Sequence, residues 1–392
     1  MTDTDTRAPV ADDGGSSPQV VLGALRAEVR DLTGRWRAEG RYTPRSDSWL
    51  RSFDPAFSRE LAARHLLGIT WPRRFGGRAG SNVMRLAVTE ELLRAGAPVA
   101  AHWVADRQIG PAILRHGSDR LQAEILPGIT AGQYRFCLGM SEPEAGSDLA
   151  AVRTFATPAD GGWRVSGRKV WTSLAQHATH IYLLARTERR ERKHEGLTEF
   201  IADMDSPGIT VSPIIDLTGE HHFNEVLLED VFIPGHRVLG QPGAGWGQVV
   251  EQLSFERGGP ERVLSTYPLL VALLAEVPVT ADPELTRKIG TLTARLAVMR
   301  RMCADVAREM DRGKAPTEQA ATLKYLGSQF ERDVVEVARP LLGTQQAGPD
   351  SAFGQALLAS PGFSIRGGAS DVLLSLIARQ EQLWPTSRSS PP

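Results

Sequence analysis

The chain has 392 residues, 41% hydrophobic and 23% charged, which suits a soluble globular protein with two or three domains and a sizeable core. Lys and Arg number 45 against 46 Asp and Glu, and the net charge of -1 offers no electrostatic footprint for nucleic acid or an anionic membrane. The two cysteines, Cys137 and Cys303, exclude a disulfide framework, fall in no metal-binding spacing and suit a reducing cytoplasm.

Residues 1–18 are rich in Asp, Thr, Gly and Ser and lack an apolar core, so they read as a disordered tail rather than a signal peptide. From 19 to 134 the apolar spacing is helical, as in Leu61, Ala62, His65 and Leu66 and again in Val83, Leu86, Ala87 and Leu93, which predicts an N-terminal helical domain. Between 135 and 240 short β-rich runs such as His180 to Ala185 and Gly208 to Ile215 alternate with Gly and Pro turns, predicting a β domain.

Helical periodicity returns over 241–386. Ile289, Leu292, Leu296, Met299, Cys303, Val306 and Met310 form one apolar stripe, and Leu323, Leu326, Phe330, Val334, Val337 and Leu341 another, as expected of core-facing helices in a bundle. The most apolar stretch, Leu264 to Val279, is broken by Pro268 and Glu276 and is shorter than the about 20 residues a bilayer span needs. Residues 387–392 read as a second tail. The fold class is α+β.

Two segments carry chemistry. Phe136 to Leu149 reads FCLGMSEPEAGSDL, and Gly167 to Ser173 reads GRKVWTS. Small and hydroxylated residues at Ser141, Ala145, Gly146 and Ser147 let backbone approach a bulky polar ligand and offer N–H and O–H donors to phosphate and ring-carbonyl oxygens, while Trp171 supplies a flat apolar face.

The Ser-Glu-Pro-x-Ala-Gly-Ser-Asp run followed by a Trp-Thr-Ser triplet resembles the acyl-CoA dehydrogenase family of FAD enzymes. The likeness extends to Trp71-Pro72, Phe75-Gly76-Gly77, Ile113 to Gly117 and Leu227 to Pro234, and it covers roughly Leu50 to Trp384. It implies an N-terminal helical domain, a middle β-barrel-like domain and a C-terminal four-helix bundle that packs into a homodimer or homotetramer. By the same resemblance, backbone around Met140 and Ser141 meets the flavin ring, Ser147 the pyrophosphate, Trp171 one ring face and Ser173 the N5 edge. The implied reaction is α,β-dehydrogenation of an acyl thioester. A carboxylate removes the α proton, hydride leaves the β carbon for flavin N5, and an electron-transfer flavoprotein reoxidises the cofactor.

Many family members carry the base in a loop reading YEGTS, whereas this chain has Arg366-Gly367-Gly368-Ala369-Ser370, with Gly367 at the glutamate position. General-base assistance contributes about 10²–10⁴-fold in rate, so another carboxylate has to supply it. Glu256, in SFERGGP, stands where the isovaleryl- and long-chain-type branch of the family places its base. Asp371 and Glu251 are weaker rivals. Gly367 keeps its backbone N–H for the thioester oxygen, and Arg257 reads either as a substrate-binding group or as an ion-pair partner.

Other signals are weaker. Gly243 to Gly247 reads as a helix entry rather than a dinucleotide loop, and His221-His222 as solvated loop residues rather than metal ligands. The family motifs that reach the adenine half of FAD on a neighbouring subunit are replaced by Ala281 to Gly290 and Leu342 to Gly348, and Ala369 and Asp371 also depart from the usual loop. These departures keep open a subunit of a heteromeric dehydrogenase with a second family member. A flavin oxidase or monooxygenase on the same scaffold and a non-catalytic interaction protein are further alternatives. Coenzyme A and carrier-protein thioesters, bulky acyl groups included, all remain candidate substrates.

Overall fold

The computed structural model describes residues 17–276, 282–343 and 348–380; the tail expectations for 1–16 and 387–392, and most of the segment 342–348, lie outside them. The first part is helical: α1 (Pro18–Ala38), α2 (Ser48–Arg51), α3 (Pro55–Ala63), α4 (Asn82–Arg94), α5 (Ala100–Val104), α6 (Gly110–His116) and α7 (Asp119–Thr130). Local chemistry sets the starts. Asp54 accepts hydrogen bonds from the N–H groups of Ala56 and Phe57 at 2.7 and 3.1 Å with Pro55 in the first turn, and Ser118 caps α7 through Leu121 N–H at 3.2 Å. Leu25, Val29, Leu32, Trp36, Phe57 and Leu61 are buried in one core beneath α4.

The middle part is an eight-stranded sheet of β1 (Phe136–Gly139), β2 (Phe155–Ala159), β3 (Gly162–Lys169), β4 (His180–Arg186), β5 (Leu197–Asp203), β6 (Ile209–Ile215), β7 (His221–Pro234) and β8 (Val238–Leu239). Strands run in the order β6-β7-β3-β2-β4-β5-β8, with β1 parallel to β4. Strand β4 reads His-Ile-Tyr-Leu-Leu-Ala and is buried on both faces, whereas β6 alternates between half-buried and exposed positions.

Six helices follow among the described residues: α8 (Gly245–Arg257), α9 (Tyr267–Glu276), α10 (Pro283–Asp311), α11 (Thr317–Leu342), α12 (Ala352–Phe363) and α13 (Ser370–Gln380). Helix α11 is the centre and packs against the other five. The predicted stripes form this core in part: Ile289, Leu292, Met299, Cys303, Leu323, Phe330 and Val334 are buried, but Leu326 and Leu341 are 38% and 37% exposed. Helical periodicity fixes which residues share a face, not whether that face is covered within one chain.

One buried acid lies off any motif. Glu199 on β5 is fully buried, and burial pushes its carboxyl up to about 8. The folded chain therefore holds a proton that the unfolded chain releases above its ordinary pKa. Stability is expected to fall between about pH 5 and pH 8 on this account, and Glu199→Gln to flatten the pH dependence of the thermal midpoint. Midpoints measured across that range for both proteins check it; parallel curves would remove Glu199 as the cause.

Candidate functional site

One wall is built where β1 ends. The Met140 carbonyl accepts from Lys169 Nζ at 3.1 Å, the Ser141 carbonyl from Val170 N–H at 3.0 Å, and Glu142 and Ala145 exchange backbone hydrogen bonds. The Glu142 carboxylate sits inside this turn and accepts from Lys169 Nζ at 2.8 Å, Thr154 N–H at 2.9 Å and Arg153 N–H at 2.6 Å. Burial pushes the Glu142 carboxyl up, but the Lys169 charge and these hydrogen bonds outweigh it and hold it below the carboxylate range; burial pulls the Lys169 ammonium down to about 8. Both groups are charged at neutral pH, so the wall is fixed by a buried ion pair.

Trp171 follows and is 60% exposed in the left-handed region, at φ 59°. Its neighbour Thr172 is pinned to β7, donating its N–H to the Asn224 carbonyl and accepting from Asn224 Nδ2, both at 3.0 Å. Phe223 meets the indole edge-on at 5.7 Å between ring centroids. An aromatic residue in this backbone region costs about 1–3 kcal/mol and persists only where its surroundings over-determine it. The hydroxyls of Ser141, Ser147 and Ser173 make no hydrogen bond to another described residue, and space is open beside Gly146. An exposed aromatic face and serine hydroxyl donors unspent within the described chain are the chemistry a flavin would need.

The second group lies at the end of α8, which reaches this wall through an apolar cluster that joins Val249, Trp246 and Leu253 to Met140 and Ala145. Glu256 is 8% exposed; one carboxylate oxygen pairs with Arg262, and Oε2 is buried without a described partner. Arg257 donates Nε–H to the Gly367 carbonyl at 3.1 Å. Gly367 and Gly368 have φ of 67° and 107°, a conformation that L side chains rarely adopt. The structure thus brings Glu256, Arg257 and Gly367 together.

The rival carboxylates lie apart. Glu251 pairs with His116 Nε2 at 2.7 Å and Arg115 at 3.7 Å, and Asp371 is exposed in the first turn of α13. The helix entry at Gly245 is as expected. His222 corrects the reading of a solvated loop pair: it lies on β7 and is 3% exposed, because adjacent strand residues face opposite ways and only His221 meets solvent. Burial pulls the His222 ring down to about 4, so it is neutral at pH 7. A cleft of about 650 Å³ lined by Phe53, Arg59, Arg135 and His177 contains none of the predicted residues.

Sequence reasoning missed the groups that hold the Gly367 loop. Asp47, buried at φ 59°, accepts from Arg366 Nη1 at 2.5 Å and donates its own N–H to the Ser265 carbonyl at 2.7 Å. The Arg366 guanidinium lies 5.0 Å from the ring centroids of both Trp49 and Phe363. Arg51 lies 3.8 Å from Asp47 and pairs with Asp216 on the middle domain at 2.7 Å.

A helical, sheet and helical chain whose middle part carries such a wall, with α8 packed on it and ending in a buried carboxylate, has the architecture of a flavin-dependent dehydrogenase. Models of the acyl-CoA dehydrogenase N-terminal, middle and C-terminal domains match residues 24–133, 137–231 and 274–382. The chain belongs to the acyl-CoA dehydrogenase family, FAD-dependent oxidoreductases acting on CH–CH bonds.

Acyl-CoA dehydrogenase IpdE1 of Mycobacterium tuberculosis is 33% identical over 335 residues, 83% of this chain and 86% of that protein. FadE34 of the same organism is 35% identical over 289 residues, which are 70% of this chain and 39% of its own. A solved structure described as the Tcur3481-Tcur3483 steroid ACAD superposes with a TM-score of 0.82 at 25% identity, covering 94% of this chain and 98% of that one. The ChsE4-ChsE5 complex from Mycobacterium tuberculosis gives 0.78 at 25% identity, with 95% and 99% covered. No described helix is long and apolar enough to cross a membrane.

Proposed function

We propose that the chain dehydrogenates an acyl thioester between its α and β carbons, with Glu256 as the base. What supports this most is the buried Glu256 Oε2, which has no described partner and belongs to the carboxylate paired with Arg262 beside Gly367. Glu256 takes the α proton on that oxygen. The Gly367 N–H stabilises the negative charge developing on the thioester oxygen, and Arg257 holds the loop through the Gly367 carbonyl while supporting the thioester. Met140, Ser141, Ser147, Trp171 and Ser173 would hold FAD, which would supply an acceptor for the hydride leaving the β carbon. In this reading the domains span 19–134, 135–240 and 241–386, and an electron-transfer flavoprotein takes the electrons onward.

The visible spectrum of the chain purified alone tests the reading. A bound flavin that bleaches when acyl-CoA thioesters are added without air is the expected result. A flavin that stays oxidised through a broad panel of thioesters would count against dehydrogenation.

A specific observation favours a second assembly. Val271, Leu274, Val298, Leu326 and Leu341 on α9, α10 and α11 are between 37% and 61% exposed, apolar surface that suits another subunit. The names of the Tcur3481-Tcur3483 and ChsE4-ChsE5 structures each pair two chains. A colourless protein that gains flavin and activity only with a second family member would make this chain one half of a heteromer.

A further inference from the structure

The space in front of Gly367 is filled. A Cβ at that position would stand 2.8 Å from Arg262 Nη2 and 2.9 Å from Cζ and Nη1, so the guanidinium lies where a side chain at 367 would begin. The same guanidinium pairs with Glu256, is 3% exposed and lies 5.0 Å from the Trp49 ring centroid. Its route is set by sequence: after Glu256 and Arg257 the chain turns at Gly258 and Gly259, and a short turn over Pro260–Arg262 sends Arg262 back toward the helix end. At Gly258 a Cβ would meet Val306 at 2.6 Å, and at Gly259 the Glu261 carboxylate at 2.0 Å, so a side chain at either position would have to displace a neighbour.

We propose that Arg262 is the positioning residue of the base, taking the place of the loop side chain this chain lacks, orienting the Glu256 carboxylate and keeping it ionised. The proposal rests on Glu256 being the base. With one oxygen held by Arg262, the other is the one presented to the α proton. As the C–H bond breaks and the Oε2–H bond forms, the electron pair passes to the thioester as an enolate, and Glu256 becomes neutral. The Arg262 charge, until then balanced by Glu256, is unmasked beside the Gly367 N–H at the moment the thioester oxygen turns negative. One guanidinium thus favours the ionised base before the step and the enolate after it.

Other charges face Arg262. Arg366 from the loop and Arg107 from the N-terminal part oppose its charge, as does Lys324 on α11, while Glu331 on α11 and Asp47 favour it. Burial, the largest influence, pulls the Arg262 guanidinium down to about 9, still protonated at neutral pH. Burial also pushes Glu331 up to about 7 and pulls the Lys324 ammonium down to about 7, and with Glu199 these protons compete in the same pH range. The tests therefore include a Glu256 control.

Arg262→Gln, Arg262→Lys, Glu256→Gln and the Arg262→Gln/Glu256→Gln double variant are compared as full-length chains, first without substrate. Arg262→Gln strands a buried carboxylate whose pKa rises. Its thermal midpoint should fall below wild type near about pH 8 and recover toward about pH 5, where Glu256 takes up a proton. Glu256→Gln in the same chain should erase that pH dependence, and Lys at 262 should restore part of the wild-type curve. An Arg262→Gln curve parallel to wild type, with additive effects in the double variant, would overturn the pairing.

With acyl-CoA thioesters, Arg262→Gln should lower kcat by at least about tenfold with KM little changed, and move the acid limb of the pH profile up by about one unit. Glu256→Gln without activity beside Arg262→Gln with a wild-type profile would refute the role of Arg262 alone. Full turnover in Glu256→Gln would instead refute the base on which it rests.

Discussion

Glu256→Gln is expected to leave a folded, FAD-binding protein whose reduction by acyl thioesters is slower by about 10²–10⁴-fold, the usual worth of a positioned general base. The amide matches the carboxylate in shape and still offers Arg262 an acceptor, so the buried contact survives in neutral form. What it lacks is basicity: a neutral amide does not take an α proton at neutral pH. The rival carboxylates weighed from the sequence are not placed to replace it: Glu251 is committed to His116 and Arg115, and Asp371 is exposed. Rapid-mixing measurement of flavin bleaching, with flavin content as the control for folding, decides the matter. A fully loaded variant that bleaches at the wild-type rate would return the search to the other carboxylates.

Lys169→Met is expected to destabilise the protein by about 3–5 kcal/mol, the cost of removing one partner from a buried ion pair. Lys169 is fully buried, and its ammonium links the Met140 carbonyl to the Glu142 carboxylate. Methionine fills much of the volume but leaves the Glu142 charge with only its backbone donors, Arg153 and Thr154. The same substitution loosens the turn carrying Met140 and Ser141, so retention of FAD should drop with stability. Denaturant midpoints and flavin release rates measure the two effects, and a variant within about 0.5 kcal/mol of wild type would show that the pair adds nothing beyond packing.

The parts of this molecule legible in the sequence are those whose physics is local. Apolar spacing gave the helical, sheet and helical order, and the crowding of Ser141, Gly146 and Ser147 ahead of Trp171 marked the wall we propose for flavin because close backbone approach and an aromatic face are properties of short segments. Charges that are buried only by partners far along the chain were not legible. Lys169, Asp47, Arg262 and Arg366 look like ordinary surface residues in one dimension, and each gains meaning from a partner on another element. His222 was misread for a related reason, since a His-His pair on a strand is one exposed and one buried residue, and only the register of β7 says which. Leu326 and Leu341 carry the pattern of a core stripe but stand on surface that is partly exposed among the described residues.

Asp47 has a mechanical consequence. It belongs to the first helical part, its carboxylate holds Arg366 beside Gly367, and through Arg51 it is tied to Asp216 at the tip of the sheet. Three stretches of chain therefore meet on one keystone, and swinging any of them away would part a buried or half-buried charge from a partner. Under the proposed function, the wall for the cofactor and the loop for the thioester would thus be held in register by paired charges before either ligand arrives.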